Sequence, residues 1–243
     1  MNSLVILMYH ALWSDAEEHQ RIASEDRAYA LDAEVFEEQV ACIAAHTHRQ
    51  NIQISFDDGH ASAYIIALPI LQKYCLTASL FVTTDWLGKR DGYCGDEELE
   101  QLKGAGWSIG AHGHTHRFLT TLDENELAQE LEQSQTRLRR YLGERPSLSF
   151  PGGRFGRREI EMAREYGFVS LYGSRPAYSS PGRDVVLSRY ALRDNTSMRS
   201  FKNILSAKPT SRIAHLAPYY FKSGLRKALG DDFYHSVYRY LRS

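Results

Sequence analysis

Between residues 4 and 192, short strand-like runs, the first of them unbroken and apolar, alternate with stretches of helical periodicity. "LVILM" (4–8) opens the series, and "IQISF" (52–56), "ASLFVTT" (78–84), "WSIGAH" (107–112), "LSF" (148–150), "FVSLYG" (168–173) and "VVLSRYAL" (185–192) continue it. Runs of this length suit strands covered on both faces. Between them, residues 35–46, 61–74, 96–106, 123–142 and 157–166 space their apolar residues as helices do. Such alternation means parallel strands joined by crossover helices, in an α/β barrel or a doubly wound sheet. Both architectures gather functional groups beyond the carboxyl ends of the strands.

Local signals punctuate the helices. Asp96 is the expected N-cap of one, and Asp123 with Glu126 reads as the capping box of another. Gly143 is its expected stop, and Pro69 predicts a kink or break within 61–74. The polar stretch 14–32 reads as loop. A chain of 243 residues suits one large domain or a domain with an appendage. Residues 1–205 are assigned to the domain and 206–243 to a helical extension. The extension is aromatic and basic, which suits packing on the domain or contact with a membrane or lipid-linked substrate.

Charge and cysteine usage exclude some classes. The 29 basic and 30 acidic residues nearly cancel, against the basic footprint of a nucleic-acid binder. The three cysteines form no CxxC pair and no even set, so reduced thiols are expected, with Cys42 and Cys75 in the core. The opening "MNSLVILMYHALW" reads as a strand interrupted by His10 and lacks the pattern of a secretory signal; cytoplasm is the default expectation.

The chemistry-bearing residues follow the strand-like runs: His10, Asp57–Asp58, His112 and Pro151–Gly153. In "AHGHTHRFLTTL" (111–122), His112 and His116 are four apart with His114 between them. Two imidazoles and one carboxylate make a common site for zinc or another divalent metal, and either Asp57 or Asp58 can supply the carboxylate. Adjacent carboxylates can then divide labour. One binds the ion, and the other stays off it and takes a proton from water that the ion acidifies.

"SFDDGH" (55–60) resembles the T/S-F-D-D-G motif of the polysaccharide deacetylases, the carbohydrate esterase family 4 or NodB-homology group. "HGHTH" (112–116) with its trailing "RFLT" resembles that family's H-[S/T]-x-x-H motif. The resemblance spans about residues 1–195 and implies a distorted (β/α) barrel that uses a divalent metal, often zinc, to remove acetyl groups from N-acetylated sugars. Carried over, Asp57 is the general base, and Asp58, His112 and His116 are the metal ligands. Gly113 stands where Ser or Thr is usual, and His60 and His114 fall on variable positions. "SFPGG" (149–153) keeps only Pro151 and a glycine of the third motif. Gly152 there offers its N–H to an oxyanion, and Pro151 and Arg154 contact substrate. The arginine that orients the base in many members is missing, with Ser149 near its place and Arg154 or Arg189 as replacements. "LVILMYH" resembles the start of the poly-N-acetylglucosamine deacetylase branch, which makes His10 the general acid, with an acidic or polar neighbour to set its tautomer. The partner implied is an N-acetylated saccharide, in the synthesis of a surface polysaccharide.

Overall fold

The computed structural model describes residues 4–24, 26–180, 182–206 and 216. The segment assigned as a C-terminal extension lies, apart from Ser206 and Leu216, outside the described residues. Strand β1 (Val5–Tyr9) is buried along its whole length, as its unbroken apolar run requires. It pairs in parallel with β4 (Ile52–Phe56), Val5 opposite Ile52 and Tyr9 opposite Phe56. Tyr9 packs on Phe56 and Phe36, and Phe56 stacks on Trp107. These rings form the centre of the main core.

Between β1 and β4 the chain is more ordered than its polarity predicts. Residues 14–32, expected as loop, hold helix α1 (Ala16–Arg21) and a single 3₁₀ turn. They end on β3 (Leu31–Asp32), which pairs with β2 (Leu12–Trp13) in a small second sheet. The helix escaped detection because it buries no residue and so carries no apolar stripe; Asp15 starts it by accepting from the N–H groups of Glu17 and Glu18. Helix α2 (Ala33–Ala44) then covers the core.

Beyond β4, a wide π-helical turn (Ala63–Ala67) runs into α3 (Leu68–Lys73), so the irregularity expected within 61–74 lies just ahead of Pro69, which falls in the first turn of α3. Strand β5 (Ser79–Val82) leads to α4 (Asp96–Gly104), whose N-cap is Gly95, not Asp96: the Glu98 carboxylate accepts from the Gly95 N–H. Asp96 instead pairs with Arg137 and Arg140. Strand β6 (Ser108–Ala111) is followed by α5 (Glu124–Leu138), where the Asp123–Glu126 capping box forms as expected. That helix ends at Leu138, a turn before Gly143. Strand β7 (Ser147–Ser149), α6 (Arg157–Glu165) and β8 (Ser170–Tyr172) follow. The run expected as a strand over 185–192 pairs continuously only as β9 (Tyr190–Ala191), before α7 (Met198–Leu205).

The sheet order is β8-β7-β6-β5-β4-β1-β9, and every pair is parallel. Residues 187–192 join its two edges. Leu187 exchanges backbone hydrogen bonds with Leu171 and Gly173 at β8, while Tyr190–Ala191 pair with β1. The sheet is thus curled into the distorted barrel expected, with one irregular segment at its seam. No described helix is long and apolar enough to cross a membrane. Cys94 is buried and Cys42 half-buried, but Cys75, expected in the core, is exposed at a positive-φ turn after α3.

Candidate active site

Parallel register aligns the strand ends and brings the chemistry to one face. Asp57 and Asp58 follow β4, His10 follows β1, and the Asp57 N–H donates to the Tyr9 carbonyl at 3.0 Å. His112 follows β6, its N–H bonded to the Val82 carbonyl. Asp58 and His116 both have left-handed backbones, φ 73° and 65°. Such turns fold side chains back over the strand ends, at a cost that non-glycine residues usually meet at functional sites.

The result is a convergence of three donors. Asp58 Oδ1 lies 3.3 Å from His112 Nε2 and 3.2 Å from His116 Nε2, and the candidate ligand atoms of the three residues all fall within 4.8 Å of one another. His112 Nδ1 is 2.9 Å from the Ser149 carbonyl, which can only accept. That contact places the proton on Nδ1 and leaves the Nε2 lone pair aimed at Asp58. Asp58 Oδ1 is itself buried and meets no hydrogen-bond donor among the described residues. Lone pairs converging at this range repel one another unless a cation is shared, and a two-imidazole, one-carboxylate set suits zinc or a similar divalent ion. The residues therefore fit the metal expected from the sequence.

Asp57 is placed differently. Arg189, fully buried, grips it with two hydrogen bonds of 2.7 Å, one to each oxygen. Ser149 Oγ accepts from Arg189 and donates to Asp57 Oδ2 at 3.0 Å. Arg189 also donates to the Gly173 carbonyl and Ser55 Oγ, and lies near the rings of Phe81 and Tyr172. Burial works against the Asp57 charge, but Arg189 and His112 outweigh it and hold the pKa below the ordinary aspartate value. For His112, burial favours the neutral ring, yet the two aspartates raise its pKa.

Of the two arginines expected from the sequence to orient Asp57, Arg189 is the one that contacts it. Its signal was an arginine inside the apolar run "VVLSRYAL". Arg154 instead stacks over the Phe118 ring, 3.7 Å from its centroid. Gly152 has φ 61°, and a Cβ there would lie 2.5 Å from the Phe118 ring, so a larger residue would be strained and would force that ring to move. Pro151 is buried, within 3.3 Å of where a Cβ on Gly113 would stand. His10 is half-buried against Tyr29. Its Nδ1 has no hydrogen-bond partner among the described residues, so the tautomer-setting neighbour expected from the sequence is not found there. Burial lowers its pKa, although Asp58 and Asp57 oppose the shift.

Glu130 on α5 was not singled out in the sequence, although its place three residues after Leu127 puts it on the helix's buried face. Buried, it accepts from the N–H groups of His114 and Thr115 and from the Thr115 hydroxyl. It thereby shapes the turn that carries both histidines. Gly113, with φ 76°, lies against this carboxylate, a Cβ there being 3.2 Å from Glu130 Oε2. His114 points away from the cluster and bonds Thr84 Oγ1.

Residues 44–171 match the polysaccharide deacetylase family. The chain belongs to that family. Its curated relatives include YxkH of Bacillus subtilis (strain 168), 25% identical over 130 residues, 53% of this chain and 46% of that protein. Another is the peptidoglycan-N-acetylmuramic acid deacetylase PdaA of the same organism, 22% identical over 143 residues, 58% of this chain and 52% of that one. The chain thus spans about half the length of the curated relatives it matches. Among solved structures, the Streptococcus pyogenes deacetylase PplD, in complex with acetate, superposes with a TM-score of 0.70 at 20% identity, over 85% of this chain and 99% of that one. IcaB from Ammonifex degensii gives 0.68 at 19%, over 87% and 98%. These likenesses establish the shared fold.

Proposed function

We propose that this family member hydrolyses the N-acetyl group of an N-acetylated sugar, in a site that holds a divalent metal, most simply zinc. The observation that carries the reading is the division of the aspartate pair: Asp58 converges with His112 and His116, while Asp57 is drawn off by Arg189. A cation bound to Asp58, His112 and His116 supplies Lewis acidity toward a carbonyl oxygen and lowers the pKa of water. Asp57, kept ionised by Arg189, accepts the proton of the attacking water; the donors from Arg189 and Ser149 leave its carboxylate room for one more hydrogen bond. The water oxygen bonds to the acetamide carbon. The Gly152 N–H holds the oxygen that becomes negative there. The C–N bond breaks, and His10, in its protonated form, delivers a proton to the nitrogen. Pro151 and Arg154 wall the substrate on the Gly152 side. The products are acetate and a free amino sugar. N-acetylglucosamine-type glycans or lipid-linked saccharides of surface-polysaccharide synthesis are the substrate class this reading favours.

The test combines metal analysis with acetate release from N-acetylglucosamine oligomers, for the native protein, Asp58→Ala and His116→Ala. About one divalent ion per native chain, with both ion and acetate release lost in the variants, is the expected result. Release that persists without the ion would overturn the assignment.

A further inference from the structure

A cavity of about 750 Å³ opens from Asp58 and His10, between the β1–α1 region and residues 90–93. This is far more room than an acetyl group needs. Its wall carries two donor groups that the proposed reaction leaves unused.

The first is His60. Its Nδ1 receives the Ser62 N–H at 3.2 Å and lies 2.8 Å from Ser62 Oγ. Ser62 Oγ already accepts from the Leu12 N–H, so its own proton is directed to His60 Nδ1. Nδ1 is therefore an acceptor, and the ring proton sits on Nε2. Nε2 meets no partner among the described residues, and its ring belongs to the cavity wall.

The second is Arg90, in the same wall. Its guanidinium stacks on Trp86 at 4.3 Å and on Tyr93 at 4.6 Å, and Tyr93 in turn packs edge-on to His60 and is bridged to it through the backbone. Stacking fixes the plane of the guanidinium and leaves its N–H edge available. No carboxylate pairs with it among the described residues. Arg21, also on the wall, is bonded to Glu17; Glu18, which accepts from Ser14, and Asp26 and Asp58 bring negative charge to the same wall, so an anion there would be held by Arg90 and His60 against these carboxylates. Asp91 is exposed beside Arg90 and makes no ion pair with it.

We infer that the cavity is a subsite for an anionic substituent on the substrate, a carboxylate or a phosphate, read by His60 Nε2–H and the edge of Arg90. A fixed imidazole donor beside an oriented guanidinium is matched to an oxyanion, whereas a neutral sugar hydroxyl uses neither the charge nor the fork. The inference rests on the reading of the site as a binder of N-acetylated sugars.

The experiment titrates zinc-loaded full-length protein with N-acetylglucosamine, N-acetylmuramic acid and N-acetylglucosamine 1-phosphate, by calorimetry, with acetate release followed separately. At least tenfold tighter binding of one or both acidic sugars is expected. A preference for the lactyl sugar alone identifies a carboxylate, and for the phosphate alone a phosphate. In Arg90→Ala the acidic-to-neutral affinity ratio is expected to fall to within about twofold of one, and Arg90→Lys to restore part of it. An equal affinity for all three sugars, or a ratio untouched by Arg90→Ala, would overturn the subsite. A ratio present without acetate release would keep the subsite and remove the hydrolase reading; release without any ratio would do the reverse.

Discussion

At the residue scale the chain spends its most expensive side chain on the proposed base. A guanidinium with no exposed surface must find acceptors for its donors, and Arg189 finds them in Asp57, Ser149, Ser55 and Gly173. Removing one partner of such a pair strands the other in a low dielectric. Arg189→Met is therefore expected to cost about 3–5 kcal/mol in denaturant unfolding. Asp57→Asn combined with Arg189→Met is expected to recover part of that loss, because no charge is then left unpaired. Strict additivity of the two single changes would show that the pair is not coupled. That Asp58, His112 and His116 would meet beside Asp57 was readable in the sequence, because Asp57, Asp58 and His112 follow strands and all four fall on motifs. Arg189 was readable only as one of two candidates. Its choice depends on a contact across 132 residues, which no local pattern carries.

At the element scale, α5 does more than cover the sheet. It delivers Glu130 under the turn from His112 to His116, where two main-chain N–H groups would otherwise be left without acceptors. The helix itself was legible from its capping box and leucine stripe; Glu130 shares that stripe, three residues after Leu127, but what its carboxylate binds depends on a turn fifteen residues away and is not carried by the helix pattern. Helix α1 was missed for the opposite reason: it is capped but has no buried face. Residues that position metal ligands typically alter metal affinity 10–100-fold when removed. Glu130→Ala is expected to weaken zinc binding by about that factor in a competition titration. Glu130→Gln should retain most of the affinity, since its amide oxygen can accept from both N–H groups while its NH₂ turns to the Thr115 hydroxyl. Equal affinity in native and alanine forms would reduce Glu130 to a packing residue.

At the scale of the whole molecule, the site depends on how the curled sheet is ordered. Asp58 follows β4 and His112 follows β6, and β5 lies between them. The strand runs predicted a parallel sheet, but not this neighbour relation, nor the short segment 187–192 that joins both edges and carries Arg189 to the centre. An ion held by Asp58, His112 and His116 would tie the loops of two strands across a third, so its binding should be felt in global unfolding. A ligand that binds only the folded chain stabilises it by about 2.7 kcal/mol at a free concentration one hundred times its Kd. For a chain of this size that corresponds to a rise in Tm of about 5–10 °C. Stepwise addition of zinc to chelator-treated protein should therefore raise Tm with the logarithm of free zinc once the site fills, and chelator should reverse the rise. In Asp58→Asn the carboxylate charge is gone while the side chain keeps its size, so the slope should flatten. A native Tm indifferent to zinc, cobalt and manganese over that range would mean that the three groups converge without holding an ion, and the proposed hydrolysis would lose its electrophile.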